Sequence, residues 1–211
     1  DPSLTPAVVG NFEDQGFVTS EASSQTGLPL GIPIRYRAGD QPNNALALNI
    51  LKPGEVAATG GTSGVLFAVT DRENSKEYFR VNHFAHVNYT IAKPVIGTLL
   101  CVNGAGIQYS WLKRITQAVS FNEMNDWASE IPIGSDGLTI LPFGNGVERM
   151  LFNKTPGARL SNLNLNVHGK GHLCRAALEG IAFSFAYGME IMQEDALDIQ
   201  VVRAGNDNLF R

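Results

Sequence analysis

At 211 residues, with 17% charged and 44% apolar side chains, the chain carries too little charge and too much Val, Ile, Leu and Phe for a disordered tail. The length suits one domain with a sizeable core, or two small ones. A net charge of −4 argues against a basic surface for nucleic acid or an anionic membrane, and no apolar run approaches the ~18 residues that a membrane span needs.

Residues 1–18 contain Pro2, Pro6 and Gly10 and are expected to form an extended lead-in. Thr19 or Ser20 is placed to cap a short helix over 21–25, which Gly27 would end. Ile32, Ile34 and Tyr36 alternate with Pro33, Arg35 and Arg37, which predicts a strand with Pro33 early or at an edge. That strand ends at Ala38-Gly39-Asp40, and Pro42 suits the first turn of a helix running to about Leu51. Pro53-Gly54 is a turn.

Two strands are predicted at 55–59 and 65–69, on either side of Gly60-Gly61-Thr62-Ser63-Gly64. A polar loop covers 71–76, weaker strands cover 78–81 and 87–91, and a further apolar strand covers 95–102. Ile107, Trp111, Leu112 and Ile115 have helical spacing, and a second helix spans 121–128. A short buried strand at 138–141 is ended by Pro142, and the Gly-, Asn- and Pro-rich stretch 143–167 reads as a long irregular loop. Leu173, Ala176, Ala177, Gly180, Ile181, Ser184 and Ile191 mark the longest helix, about 171–192. A last strand at 199–202 leads into Gly205-Asn206. Alternating strands and helices argue an α/β domain with a mixed sheet.

Four places could carry chemistry. Asp40, after a strand and before a helix, can accept a proton from a substrate hydroxyl; the same carboxylate would equally serve as a helix cap. The turn at Gly61, Thr62 and Ser63 can present backbone N–H groups and two hydroxyls to a phosphate, or be a plain hairpin turn. Lacking a following lysine, it is not a Walker A loop. Asn103 to Trp111, with Gly106 and Ser110, is a glycine-broken helix start suited to phosphate, or to tight packing. Arg203-Ala204-Gly205-Asn206 follows the last strand with the same two readings. His83, His86, His168 and His172 have no zinc-site spacing, so no metal-ligating residues are assigned. Cys101 and Cys174 lack CxxC or Cys/His pairing and are expected to be buried thiols in a reducing compartment. Trp111 and Trp127, at helical spacing, are expected in the core, which argues against a glycan-binding module.

Taken in order, the segments resemble the carboxyl-terminal half of an FGGY-family carbohydrate kinase. Ala38-Gly39-Asp40-Gln41, Lys52-Pro53-Gly54-Glu55-Val56 and Gly61-Thr62-Ser63-Gly64 are similar to the family's catalytic-aspartate segment and phosphate loop. Leu138 to Phe143 with Gly146-Val147-Glu148-Arg149 resembles its Leu-Pro-Tyr…Gly-Glu-Arg region. His172 to Gly180 is similar to its second signature, although that signature's glycine is Asn162 here. Asn82-His83-Phe84-Ala85-His86 resembles a Phe-Cys-His-Ala stretch of xylulose kinases.

The resemblance implies an actin-like ATPase (ribonuclease-H-like) domain, a mixed sheet with flanking helices, truncated at its end. It implies residues 1–30 as a lead-in from a preceding domain and 31–211 as the carboxyl-terminal nucleotide-binding domain. The start at Asp1-Pro2 and the stop at Leu209-Phe210-Arg211 are what an excised piece would show. It further implies ATP and Mg²⁺, and Asp40 as base in the phosphorylation of a sugar, first of all D-xylulose to xylulose 5-phosphate. Gly61, Thr62 and Ser63 would meet the phosphates, Gly106 and Ser110 would line the nucleotide cleft, and Gly205 would open the adenosine motif. The family's Gly-Gly-Gly-Ala is Arg203-Ala204-Gly205-Asn206 here. The missing amino-terminal domain would supply most sugar contacts and leave this chain inactive alone, in the cytoplasm, with homodimerisation open. A rival reading is an actin-like nucleotide-dependent switch or scaffold without a sugar substrate.

Overall fold

A computed structural model describes residues 2–73 and 75–205. Five strands form the main sheet: β1 (Glu55–Gly60), β2 (Gly64–Thr70), β3 (Asn82–Ala85), β4 (Ile96–Val102) and β7 (Val201–Gly205). Their order is β3-β4-β2-β1-β7, antiparallel throughout except that β7 runs parallel to β1. A separate ribbon pairs β5 (Thr139–Phe143) with β6 (Gly157–Ser161). The helices are α1 (Ser20–Thr26), α2 (Asp40–Ala47), α3 (Ala105–Thr116), α4 (Phe121–Ser129) and α5 (Lys170–Glu194).

The strands β1 and β2 are buried along nearly their whole length because both faces of the sheet are covered. Alternation divides them. Val56, Ala58, Leu66, Ala68, Leu100 and Val102 face α5 with Phe185, Ile191 and Met192. Ala57, Phe67, Val69 and Leu99 turn the other way, onto Ala45 of α2, Leu48 and Ile50. A third cluster, with Leu112, Met124, Leu138, Ile140 and Cys174, joins α3, α4, α5 and the β5 ribbon. There Gly180 is required: a Cβ on it would stand 1.9 Å from the Ile140 carbonyl oxygen.

The cap chemistry of α1 is as the sequence indicates. Thr19 accepts the Ala22 N–H, and Gly27 is left-handed at φ 74. Other expectations need correction. No strand forms over Ile32–Tyr36; residues 31–34 exchange backbone bonds with 15–18, but only Phe17 and Pro33 make a bridge, since Pro33 has no N–H to extend a ladder. Helix α2 stops at Ala47, four residues short of the expected end, because Asn49 turns left-handed at φ 57. The strands expected at 78–81 and 87–91 are absent, and the real strand, β3, lies between them. It is an edge strand, which needs no regular apolar alternation.

Pro142 lies within β5 instead of ending it, because a two-stranded ribbon has an open side on which a missing N–H costs nothing. The stretch 143–167 is not wholly irregular: it holds a 3-10 turn at Glu148–Leu151 and strand β6. Trp111 and Ile115 are not core residues; they are 41% and 52% exposed, and α3 buries Gln108, Tyr109, Leu112 and Thr116 instead. Trp127 packs against the third cluster. Cys174 is buried, whereas Cys101 is only half-buried. The final strand begins at Val201 and runs to Gly205, and Asn206 lies outside the described residues.

Candidate functional site

The hairpin between β1 and β2 places Gly61, Thr62 and Ser63 at the carboxyl end of β1. Within it the Gly61 N–H is spent on the Ser63 carbonyl at 3.0 Å. Among the described residues no group accepts from the Thr62 or Ser63 N–H, and the Thr62 hydroxyl makes no hydrogen bond. A turn with two uncommitted amides, one beside an exposed hydroxyl, can receive an anion.

Helix α3 starts against this turn. The Ile107 N–H donates to the Thr62 carbonyl at 3.3 Å. A Cβ on Gly106 would lie 2.1 Å from the Gly61 carbonyl oxygen and 3.3 Å from the Thr62 Cα, so only glycine lets helix and turn meet. Ser110 follows one helical turn beyond Gly106, on the same face of α3. Ala105 and Gly106 belong to the first turn of a helix, where N–H groups lack an intrahelical acceptor. The two candidate loops thus share one end of the sheet.

Gly205 arrives at the same end. It is the register partner of Thr59, the residue before the Gly60-Gly61 turn, and its Cα side abuts the Leu48 side chain. Asp40 is carried by α2, and its carboxylate is hydrogen-bonded to Gln41 and to none of these residues. It is the first residue of α2, so a rise of about 12 Å of helix separates it from Leu48. No sheet strand precedes it, contrary to expectation. The N-cap is Gly39, without a side-chain bond, while Asp40 Oδ1 accepts the Gln41 N–H at 2.9 Å and Oδ2 accepts from Gln41 Nε2 at 3.3 Å. The carboxylate therefore satisfies one helix donor without being the cap, and it remains exposed to solvent.

Asn103 opens the segment read from the sequence as a helix start, which gives it no role of its own. Its Oδ1 lies 3.4 Å from Ser63 Oγ and 3.6 Å from Cys101 Sγ, so it touches the turn from the end of β4. Its place directly before Gly104, the left-handed N-cap of α3, is the signal that could have found it. Burial and the nearby Glu148 carboxylate push the Cys101 thiol up to about 11, which keeps it protonated and unreactive at neutral pH. His86 is a core residue: Nε2 donates to the Ile50 carbonyl at 3.0 Å, Nδ1 accepts the Asn88 N–H, and burial pushes its pKa down. Among the described residues no three His, Cys, Asp or Glu side chains are grouped to hold a metal ion, and no helix is long and apolar enough to cross a membrane.

The mixed sheet, with α5 on one face and α2 on the other, is the actin-like ATPase fold. No protein-family model matches the chain. It is 25% identical over 200 residues to the xylulose kinase of Haemophilus influenzae, covering 95% of this chain and 39% of that protein. It is 29% identical over 197 residues to the gluconokinase of Bacillus subtilis, covering 87% of this chain and 36% of that one. The crystal structure of xylulose kinase from Rhodospirillum rubrum superposes with a TM-score of 0.84 at 27% identity, covering 99% of this chain and 41% of that one. The chain is thus similar to xylulose kinases and a gluconokinase, and it spans about two fifths of the length of the curated relatives it matches.

Proposed function

We propose that this chain is the nucleotide-binding, carboxyl-terminal half of an ATP-dependent sugar kinase, most closely a kinase converting D-xylulose to xylulose 5-phosphate. The observation that carries the reading is the meeting of the Gly61-Thr62-Ser63 turn with the Gly106 start of α3, which leaves the Thr62 and Ser63 amides uncommitted. Phosphoryl transfer needs positioning and charge stabilisation more than covalent chemistry, and backbone donors at a fixed turn supply both. Gly106, Ser110 and Gly205 line the nucleotide side of this cleft. Residues 1–30 are a lead-in and 31–211 form the nucleotide-binding domain.

Asp40 is the base that orients and deprotonates the attacking hydroxyl, and its exposure leaves the carboxylate free to meet a sugar held by a second domain. Mg²⁺ brought on the nucleotide phosphates would neutralise charge there, and such an ion needs only one or two protein carboxylates, a role Asp40 can share. The missing amino-terminal domain supplies most sugar contacts, and closure of the two domains excludes water. A kinase of this kind would draw its ATP and free sugar from the cytoplasm.

Asp40→Asn in the longer chain carrying both domains is expected to lower kcat for sugar phosphorylation by roughly 10²–10⁴-fold while ATP binding persists. Equal loss of both would make Asp40 a structural residue. Gluconate is the second substrate to test, since a gluconokinase is among the relatives. ADP release that rises with D-xylulose supports the first reading; release unaffected by any sugar would favour a nucleotide-dependent switch.

A further inference from the structure

We propose that Arg203 and Glu55 are positioning residues for Asp40: together they bolt the carboxyl end of α2 to the strand that carries Gly205, and so set where the helix holds its amino-terminal carboxylate. The functional half of this inference rests on the reading of Asp40 as the base. Helix α2 has eight residues, one of them buried, and no side-chain cap at its start. Two turns of helix are too short to persist in water unaided, so its placement comes from outside.

The chain directly after α2 is where that placement is made. Arg203 Nη1 donates to the Asn49 carbonyl at 2.9 Å, and Nη2 donates to Glu55 Oε1 at 3.1 Å. The other Glu55 oxygen accepts the N–H groups of Leu51 at 2.8 Å and Lys52 at 3.0 Å. His86 holds the Ile50 carbonyl and Asn88 Nδ2 the Leu51 carbonyl at 3.1 Å. Thus the carbonyls of 49, 50 and 51 are each held by a side chain from a distant part of the sequence. Ile50 is fully buried, and Leu48 rests on Gly205.

Arg203 is the register partner of Ala57 and therefore sits on the sheet itself. A planar guanidinium binding two fixed acceptors cannot slide without breaking both bonds, and lysine, a single point donor, could not replace it. By contrast, the polar contacts at the front of the helix are short-range: Asp40 with Gln41, and Asn43 Nδ2 with the Ala38 carbonyl. A shift of the rear anchor is carried to Asp40 along the helix, and a misplacement of ~1 Å can cost 10²-fold in rate.

The test compares Arg203→Met, Arg203→Lys, Glu55→Gln and the Arg203→Met/Glu55→Gln double variant in the longer chain carrying both domains. In Arg203→Met, kcat is expected to fall about tenfold or more, with KM for ATP and sugar kept within about threefold. Lysine is expected not to restore it, and the double variant is expected to be no worse than the poorer single one, because the two residues form one device. Amide exchange over residues 43–47 should quicken by about tenfold while that of β1 and β2 stays unchanged. Faster exchange with kcat within about twofold of the unaltered protein would make the clamp purely structural and overturn the proposal. A rise in KM for ATP at constant kcat would also overturn it, placing the effect on the nucleotide strand. Full activity in Asp40→Asn would instead sink the reading of the base, and with it the functional half of the proposal. The exchange measurement would then still decide whether Arg203 and Glu55 anchor α2.

Discussion

Gly106 has no room for a side chain, and the atoms that crowd it are backbone atoms that cannot rotate away. Gly106→Ala is therefore expected to force the start of α3 from the Gly61-Thr62 turn and to weaken ATP binding by about tenfold or more in a direct titration of the longer chain, since a cradle displaced by an ångström loses its aim. Acid response is also decided residue by residue. Burial lowers the pKa of His83 and His86 below the ordinary 6.5, so the unfolded chain takes up their protons first. Glu55, hydrogen-bonded by Arg203 and by the amides of Leu51 and Lys52, is held down to about 2 against an ordinary 4.5. For depressed groups the stabilisation is complete above the unfolded pKa and drains away as pH falls toward the folded one. Urea midpoints measured across pH should accordingly hold level between about 7 and 8, decline below 6.5, and steepen their fall below 4.5. Glu55→Gln should shrink the second decline, leaving the share of Glu77, where burial is outweighed by the Arg80 hydrogen bonds that lower its pKa, and should leave the first decline unchanged.

Helix α3 shows how an element's pattern can be read and its face still be mistaken. Ile107, Trp111, Leu112 and Ile115 do recur at helical spacing, yet the buried stripe is Ala105, Gln108, Tyr109, Leu112 and Thr116. The difference is testable: Leu112→Ala should cost about 2–5 kcal/mol in chemical unfolding, as truncation of a filled core does. Trp111→Ala should cost much less, despite removing the larger side chain. At α5 the limit is steric: Gly180→Ala would drive a methyl into the Ile140 carbonyl, and overpacking of this kind costs about 1–3 kcal/mol, read as a lowered melting temperature. The elements that sequence pattern located well are those with local signals at both ends, such as α1 between Thr19 and Gly27, or the β1–β2 pair around its glycine turn. Strand β3 had no such signal, because an edge strand with half its residues exposed carries little alternation to detect.

For the whole molecule, the expectation follows from what a phosphoryl-transfer site must enclose. The turn, the start of α3 and the end of β7 lie at one open end of the sheet. If the chain serves a sugar kinase as proposed, closure over the sugar requires a second body, which this chain, at about two fifths of the length of its relatives, would meet in a longer protein. A coupled assay on these 211 residues with ATP and D-xylulose should give no turnover above background, whereas the longer chain should turn over. Robust activity from the short chain would mean that the site is complete without a second domain.

The amino-acid sequence by itself determined the class of the fold, the glycine turn, the ordered motifs and the capped helix α1. Each of these is written in neighbouring residues, within one turn or one period of an element. Only the tertiary structure decided that Gly106 lies against Gly61, that α3 buries Tyr109 and Leu112 while exposing Trp111, and that Arg203 reaches Asn49 and Glu55. Those partners are separated by up to 154 positions along the chain. No local preference encodes such a meeting; it is selected by the joint packing of α2, the sheet and α5, which leaves one arrangement that fills the core and pairs the buried polar groups.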